Sequence, residues 1–306
     1  MHSNVWSASD NLTDVWPTYW DQTIKAFVGM IRVDQTALRF MGPADEDGNV
    51  PLPNPMQQIG YPQVYPTTTI YTFQGLGVQL KLCFTTPLIF EEFLGQQPLN
   101  GDKFELLSRP TTYLTYQVSS IDGKPHQVAL YYDNTAEISV NSVSENVVWQ
   151  RFAQGPLTVM RIGTQQQSVL GMAGDNVGIN WGYAYVAVEQ QPGVSTVMYG
   201  SQAARASFAQ TGALPKNDDT DFPRPCDQNW PVLAVAWNFT VSPSTSVTKL
   251  LMFAYDDINS INFFGAQFPP YWRRNPQTTA RKRRRSWHRK LNKLGIGSWR
   301  RLQRGN

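Results

Sequence analysis

Apolar and polar residues alternate with a period of two along most of the first 260 positions, the spacing of strands that show one face to a core and the other to water. In "TTTIYTFQGLGVQLKLCFTTP", Val78, Leu80, Leu82 and Phe84 share one face and Gln79, Lys81 and Cys83 the other, with Gly75 and Gly77 marking the turn before them. This predicts a half-buried hairpin. In "TYLTYQVSSIDGKPHQVALYYDNTAEISVN", Leu114, Tyr116 and Val118 alternate up to Asp122-Gly123, and Val128, Leu130 and Tyr132 take up the pattern beyond it. An Asp-Gly pair between alternating runs predicts a second hairpin. "NVVWQRF", "LTVMRI", "YAYVAVEQ", "STVMYG", "VLAVAWNFTVS" and "VTKLLMFAYDD" read as further strands. No long helical period competes with them before residue 280.

Many short antiparallel strands in one chain predict an all-β fold, a large two-sheet antiparallel β-sandwich with long loops, occupying residues 1–276. Two connections stand out as loops rich in Pro, Gly and Asp, residues 41–66 and 209–231. The second carries Asp218, Asp219, Asp221 and Asp227, which suggests calcium. It lacks the glycine and distal glutamate of an EF-hand loop, so it reads as a solvated acidic loop, and neither a metal nor a cofactor is expected.

Charge divides the chain in two. Eleven of the 26 Lys and Arg residues fall in 281–306, which has no Asp or Glu, so residues 1–280 hold 15 basic against 23 acidic side chains. The folded part is therefore acidic, which argues against a nucleic-acid partner, because such proteins spread cations over the folded face that meets phosphate. Residues 277–306 read as a basic tail, disordered or short-helical through Trp287, Leu291, Leu294 and Trp299, and dispensable to the fold. The abrupt change of composition reads most simply as a truncated or misread gene product, with a nuclear signal, a phosphate-binding arm or a basic membrane-surface helix as the alternatives. No run reaches 18 apolar residues and the first residues lack an apolar core, so neither a membrane span nor a signal peptide is expected. Cys83 and Cys226 read as unpaired thiols. Asn11-Leu12-Thr13 and Asn238-Phe239-Thr240 are acceptor tripeptides for glycosylation in an exported protein.

Catalytic chemistry is sparse. There is no G-x-S-x-G, H-E-x-x-H, phosphate loop or dinucleotide fingerprint. His126, just after the Asp122-Gly123 turn, and Asp133 are the first candidates to test for a catalytic role, with a strand-entry histidine and turn or rim carboxylates as the bland alternative. Asp133 with Glu137, Asp175, and Asp256 with Asp257 are further carboxylates that could pair at glycosidase separation.

The order of phrases is more specific than any single motif. "DNLTDVWPTYWDQTIKAFVGMIRVDQTALRFMG", "PTTTIYTFQGLGVQLKLCFTTPL", "DNVGINWGYAYVAV", "DDTDFPRPCDQNWPVLAVAW" and "FAYDDINSINFFGAQFPPYWRRN" resemble, in consistent order over residues 6–276, the N-terminal part of the glutaminase A family. The resemblance implies a β-sandwich followed by a large helical domain like that of six-hairpin glycosidases, an extracellular microbial or fungal protein, and hydrolysis of L-glutamine to L-glutamate and ammonia. Asn176 and Asn180 stand where it leads one to expect Asp. It also implies that the helical domain, absent from these 306 residues, is the partner, and that the sandwich is inactive alone. A carbohydrate- or cell-wall-binding module is the alternative.

From Phe253 to Trp272 seven of 20 residues are aromatic, against 12% of the chain. Phe253 and Tyr255 continue a strand into the core. Asn259, Asn262, Gly265 and Pro269-Pro270 interrupt pairing after them, leaving Phe263, Phe264, Phe268, Tyr271 and Trp272 on an irregular segment, with Asp256, Asp257, Arg273 and Arg274 as its polar rim. Such a segment reads as an interface with the missing domain. Its alternative is a cap folded back on the sandwich.

Overall fold

Two antiparallel sheets face each other in the computed structural model, which describes residues 5–44, 52–86 and 107–273. The strands are β1 (Phe27–Val33), β2 (Thr36–Met41), β3 (Gln57–Gln58), β4 (Gln63–Tyr65), β5 (Thr68–Gly75), β6 (Val78–Thr85), β7 (Thr111–Ser120), β8 (His126–Thr135), β9 (Asn146–Gln154), β10 (Leu157–Thr164), β11 (Tyr183–Glu189), β12 (Val194–Gly200), β13 (Arg224–Pro225), β14 (Pro231–Val241), β15 (Val247–Asp256), β16 (Ile261–Phe263) and β17 (Ala266–Phe268). One sheet runs β12-β14-β8-β1-β2. The other runs β13-β9-β10-β11-β15-β7-β6-β5-β3, with β4 also on β5. The all-β sandwich expected from the alternation is present. The basic tail, 277–306, lies outside the described residues.

The alternating faces meet as the pattern requires. Val78, Leu80, Leu82, Leu114, Tyr116, Val118, Leu251 and Phe253 of the larger sheet pack against Ile31, Leu130, Tyr132, Leu233, Val235 and Trp237 of the smaller. The first predicted hairpin forms across Leu76-Gly77, both with positive φ, 51° and 77°. That is the backbone of a two-residue turn whose twist matches the flanking strands.

The second predicted hairpin does not form. β7 pairs with β6 and β15, and β8 with β1 and β14, so the segment containing Asp122-Gly123 carries the chain from one sheet to the other. An Asp-Gly turn reverses the chain equally well in both settings. Which strand meets which is decided by the inner faces, since even-numbered residues of β7 and β8 point into one core from opposite sides.

A helix was also not expected. α1 (Ser201–Thr211) lies on the outer face of the smaller sheet, where Ala204 and Phe208 cover Val28, Met30, Ala129, Tyr131, Val197, Val232, Ala234 and Ala236. Its only large apolar side chain is Phe208, so an amphipathic period is nearly invisible; alanines hold the helix instead, and Gly212, at φ 75°, ends it with its N–H on Phe208 O. The helix explains why β14 is buried without interruption from Pro231 to Trp237. A strand covered on both faces reads as a continuous apolar run.

Candidate functional site

Strand register puts the two ends of the sandwich far apart. Asp133 on β8 is opposite Ala234 near the start of β14, whereas His126 is opposite Val241 at its end. Seven residues of strand separate them by about 23 Å, with side chains on opposite faces. The structure therefore does not bring the two candidate catalytic residues into one constellation.

Asp133 lies against α1 rather than in an open site. Its carboxylate is fully buried and accepts Arg205 Nε and Nη2, both at 2.7 Å, and the Tyr131 hydroxyl at 2.6 Å. The Arg205 guanidinium also faces the Trp16 ring, 5.8 Å from its centroid. This is a bidentate pair fastening the helix to the sheet. Arg205 carried no signal in the sequence, since nothing marked residues 201–211 as a helix.

His126 is 7% exposed and sits between Asp34, at 2.5 Å from Nδ1, and Asp122, at 2.9 Å from Nε2. Asp34 belongs to the β1–β2 turn, a hairpin the sequence reading did not mark, so the partner could not be foreseen.

The Asp133 end gathers more polar groups. Lys25 Nζ donates to Glu137 O at 2.8 Å and lies over the Tyr19 ring, while the Glu137 carboxylate accepts Ala26 N–H and Thr135 Oγ1. Burial pulls the Lys25 amine down from its usual range, and it pushes Tyr19 up to about 12 and the Cys226 thiol up as well. Nearby Asn180 donates to Glu145 Oε1 at 2.6 Å, and Glu145 Oε2 accepts the N–H groups of Asn141 and Ser142. Lys25, Glu137, Thr135 and Asn180 are buried, Glu145 is half-buried, and their hydrogen bonds join loops. Asp175 and Asn176 are exposed.

Arginines hold two carboxylates of the acidic loop, while Asp221 and Asp227 stay exposed. Asp218 receives Arg151 through both oxygens, and Asp219 receives Arg224 at 2.7 Å. Among the described residues no group of three or more His, Cys, Asp or Glu is placed to hold a metal ion. The sequon residues differ: Asn11 lies in an exposed turn with Nδ2 on Asp14, and Asn238 lies on β14 with Nδ2 toward Gly212 O.

The aromatic exit segment is the most exposed apolar feature at the Asp133 end. It is ordered as a hairpin, β16 to β17, turning at Phe264-Gly265, where the expected irregular run would have left it unpaired. Ile261 is 57% exposed, Phe263 61%, Phe264 94%, Phe268 46% and Tyr271 43%. Phe263 and Phe264 meet edge to face at 4.6 Å, and Trp272 is half-buried. Asp256 holds Arg273 Nε at 2.7 Å, tying the far side of the hairpin to β15. Asp257 is a correction to the expected polar rim. It turns inward, 3% exposed, with Oδ2 accepting Ser260 Oγ and Oδ1 left without a partner.

Two packed antiparallel sheets with one flanking helix, polar loops at one end and an exposed aromatic hairpin beside them, define a β-sandwich. Residues 67–285 match the family described as a domain of unknown function, DUF5127, and the chain belongs to that family. It is 27% identical to glutaminase A of Aspergillus oryzae over 255 residues, 83% of this chain and 34% of that protein. A solved structure described as a presumed kojibiose phosphorylase from human microbiome overlaps 97% of this chain and 30% of its own, at a TM-score of 0.38 and 9% identity. The chain thus spans about a third of the length of the relatives it matches. No helix among the described residues is long and apolar enough to cross a membrane.

Proposed function

We propose that this chain is the β-sandwich portion of an extracellular glutaminase A-like amidohydrolase, that it lacks a complete active site of its own, and that the β16–β17 hairpin packs against a helical domain carrying the rest of the reaction machinery. In the intact protein the substrate is a small amide, L-glutamine. The observation that carries the reading is the hairpin: four apolar side chains and Tyr271 stand in solvent on a segment that is folded and anchored. Exposed contiguous apolar surface of this kind marks an interaction site. The distant likeness to glutaminase A, over most of this chain but a third of the relative, supports a shared architecture in which further polypeptide meets the sandwich. Asn11 and Asn238, both exposed, are the acceptor positions for glycans.

Ammonia release from L-glutamine tests the reading. The purified 306-residue chain is expected to give none above the no-enzyme rate. Turnover that His126→Gln or Asp133→Asn abolishes, in variants that still fold, would overturn it. The carbohydrate-binding alternative draws on a separate observation, the exposed Trp6 and Trp20 at 60% and 63%. Retention of the chain on insoluble polysaccharide, lost on Trp20→Ala, would favour that alternative.

A further inference from the structure

At the end of the sandwich opposite the hairpin, three turns close on one imidazole. His126 Nδ1 is 2.5 Å from Asp34 Oδ2, and Nε2 is 2.9 Å from Asp122 Oδ1. An ionised carboxylate only accepts, and a neutral imidazole carries one N–H. Hydrogen bonds from both ring nitrogens therefore require the doubly protonated, cationic ring. Each carboxylate is itself held: Asp34 Oδ1 accepts the Gln127 N–H at 2.9 Å, and Asp122 Oδ1 accepts the Lys124 N–H at 2.9 Å and Ser120 Oγ at 3.2 Å. The third turn is that of β5–β6. A Cβ on Gly77 would stand 2.5 Å from Asp122 Oδ2 and 2.8 Å from His126 Nε2, so the glycine is what lets this turn close over the pair. The ring is 7% exposed while the side chains of Asp34 and Asp122 are 51% and 35% exposed, so solvent reaches the assembly through its carboxylates.

We propose that Asp34, His126 and Asp122 form a pH-sensitive latch, which fastens the crossing between β7 and β8 to the β1–β2 turn while the ring is cationic and loosens the crossing when the ring gives up a proton. Losing that proton turns one ring nitrogen into a lone pair facing a carboxylate, so a charge-assisted bond becomes a repulsion. The titratable groups facing the ring are Asp34, from the β1–β2 turn, and Asp122, from the crossing itself. Lys124 contributes its backbone N–H to Asp122. The 76–77 turn and Val241, the neighbour on β14, bring no titratable group.

The direction of the pH dependence follows from the same contacts. Asp34, and then Asp122, hold the His126 pKa above its ordinary 6.5. The ring in turn holds Asp34 below the ordinary carboxylate range, and holds Asp122 down at about 2. The histidine's stabilisation is complete below pH 6.5 and disappears as pH rises through its raised pKa. The carboxylates' share is complete above pH 3.8 and disappears as pH falls, for Asp122 toward about 2. The latch is thus closed throughout mildly acidic conditions and opens on the alkaline side.

The full chain has only three histidines, His2, His126 and His288, so the His126 ring resonances can be assigned by their loss in His126→Gln. Expected are two protonated ring nitrogens at pH 6, a titration midpoint above 6.5, and faster amide exchange across residues 120–125 with that same midpoint. Asp34→Asn and Asp122→Asn should each lower the midpoint, which keeps the test open even if His126→Gln folds poorly. A ring that titrates at or below 6.5, or exchange at 120–125 that ignores its protonation, overturns the latch.

Discussion

Asp133 and Arg205 show how one buried pair can masquerade as a catalytic residue. A carboxylate on a strand, near a histidine in sequence, satisfies any motif-level criterion, yet its oxygens are saturated by Arg205 and Tyr131 beneath a helix. Breaking a buried pair strands the surviving charge, so Arg205→Ala should destabilise the fold by about 3–5 kcal/mol in urea unfolding. A loss below 1 kcal/mol would show that water reaches Asp133. Gly77 makes a second residue-scale case. Its φ of 77° and the closeness of Asp122 and His126 leave no place for a side chain, and Gly77→Ala should cost about 1–3 kcal/mol. Unchanged stability in that variant would mean the turn has room to shift.

At the scale of elements, α1 and the β16–β17 hairpin are opposites. The helix buries Phe208 completely, its ring tilted against that of Tyr131 with centroids 5.0 Å apart, so Phe208→Ala should cost about 3–5 kcal/mol and be seen in both thermal and denaturant unfolding. The hairpin buries little, and Phe264 at 94% exposure contributes almost nothing to the folded chain. Phe264→Ser should therefore leave the melting temperature within a degree or two while reducing the binding of a hydrophobic dye. A fall of several degrees would place Phe264 in the core of this domain and remove the basis for a docking surface.

On the scale of the whole molecule, the chain changes sheets repeatedly. The smaller sheet takes β1, β2, β8, β12 and β14, and the intervening strands go to the larger, so neither sheet is a contiguous stretch of sequence. The side chain of Arg151 on β9 adds a cross-link, reaching Thr196 on β12 as well as Asp218. Neither sheet can be withdrawn while the other persists, and unfolding followed by tryptophan fluorescence and by far-ultraviolet dichroism should give coincident transitions. Two separated midpoints would show that part of the sandwich opens on its own.

Strand existence and the buried faces of β6, β7, β8 and β15 were legible in the sequence, because a period of two is a local property and Val78, Leu80, Leu82, Leu114, Tyr116 and Val118 all point where the alternation says. The aromatic density of residues 253–272 was legible too, as was the absence of familiar catalytic motifs. Pairing was not: the Asp122-Gly123 segment has hairpin chemistry, and only the fit of two apolar faces across the core made it a crossing. Helix α1 stayed hidden because alanines leave almost no periodic signal until a sheet is there to receive Phe208. Arg205, which pairs with Asp133, and Asp34, which pairs with His126, lie 72 and 92 residues away along the chain. A carboxylate's role depends on what cation stands within 3 Å of it, and that distance exists only once the sheets have closed.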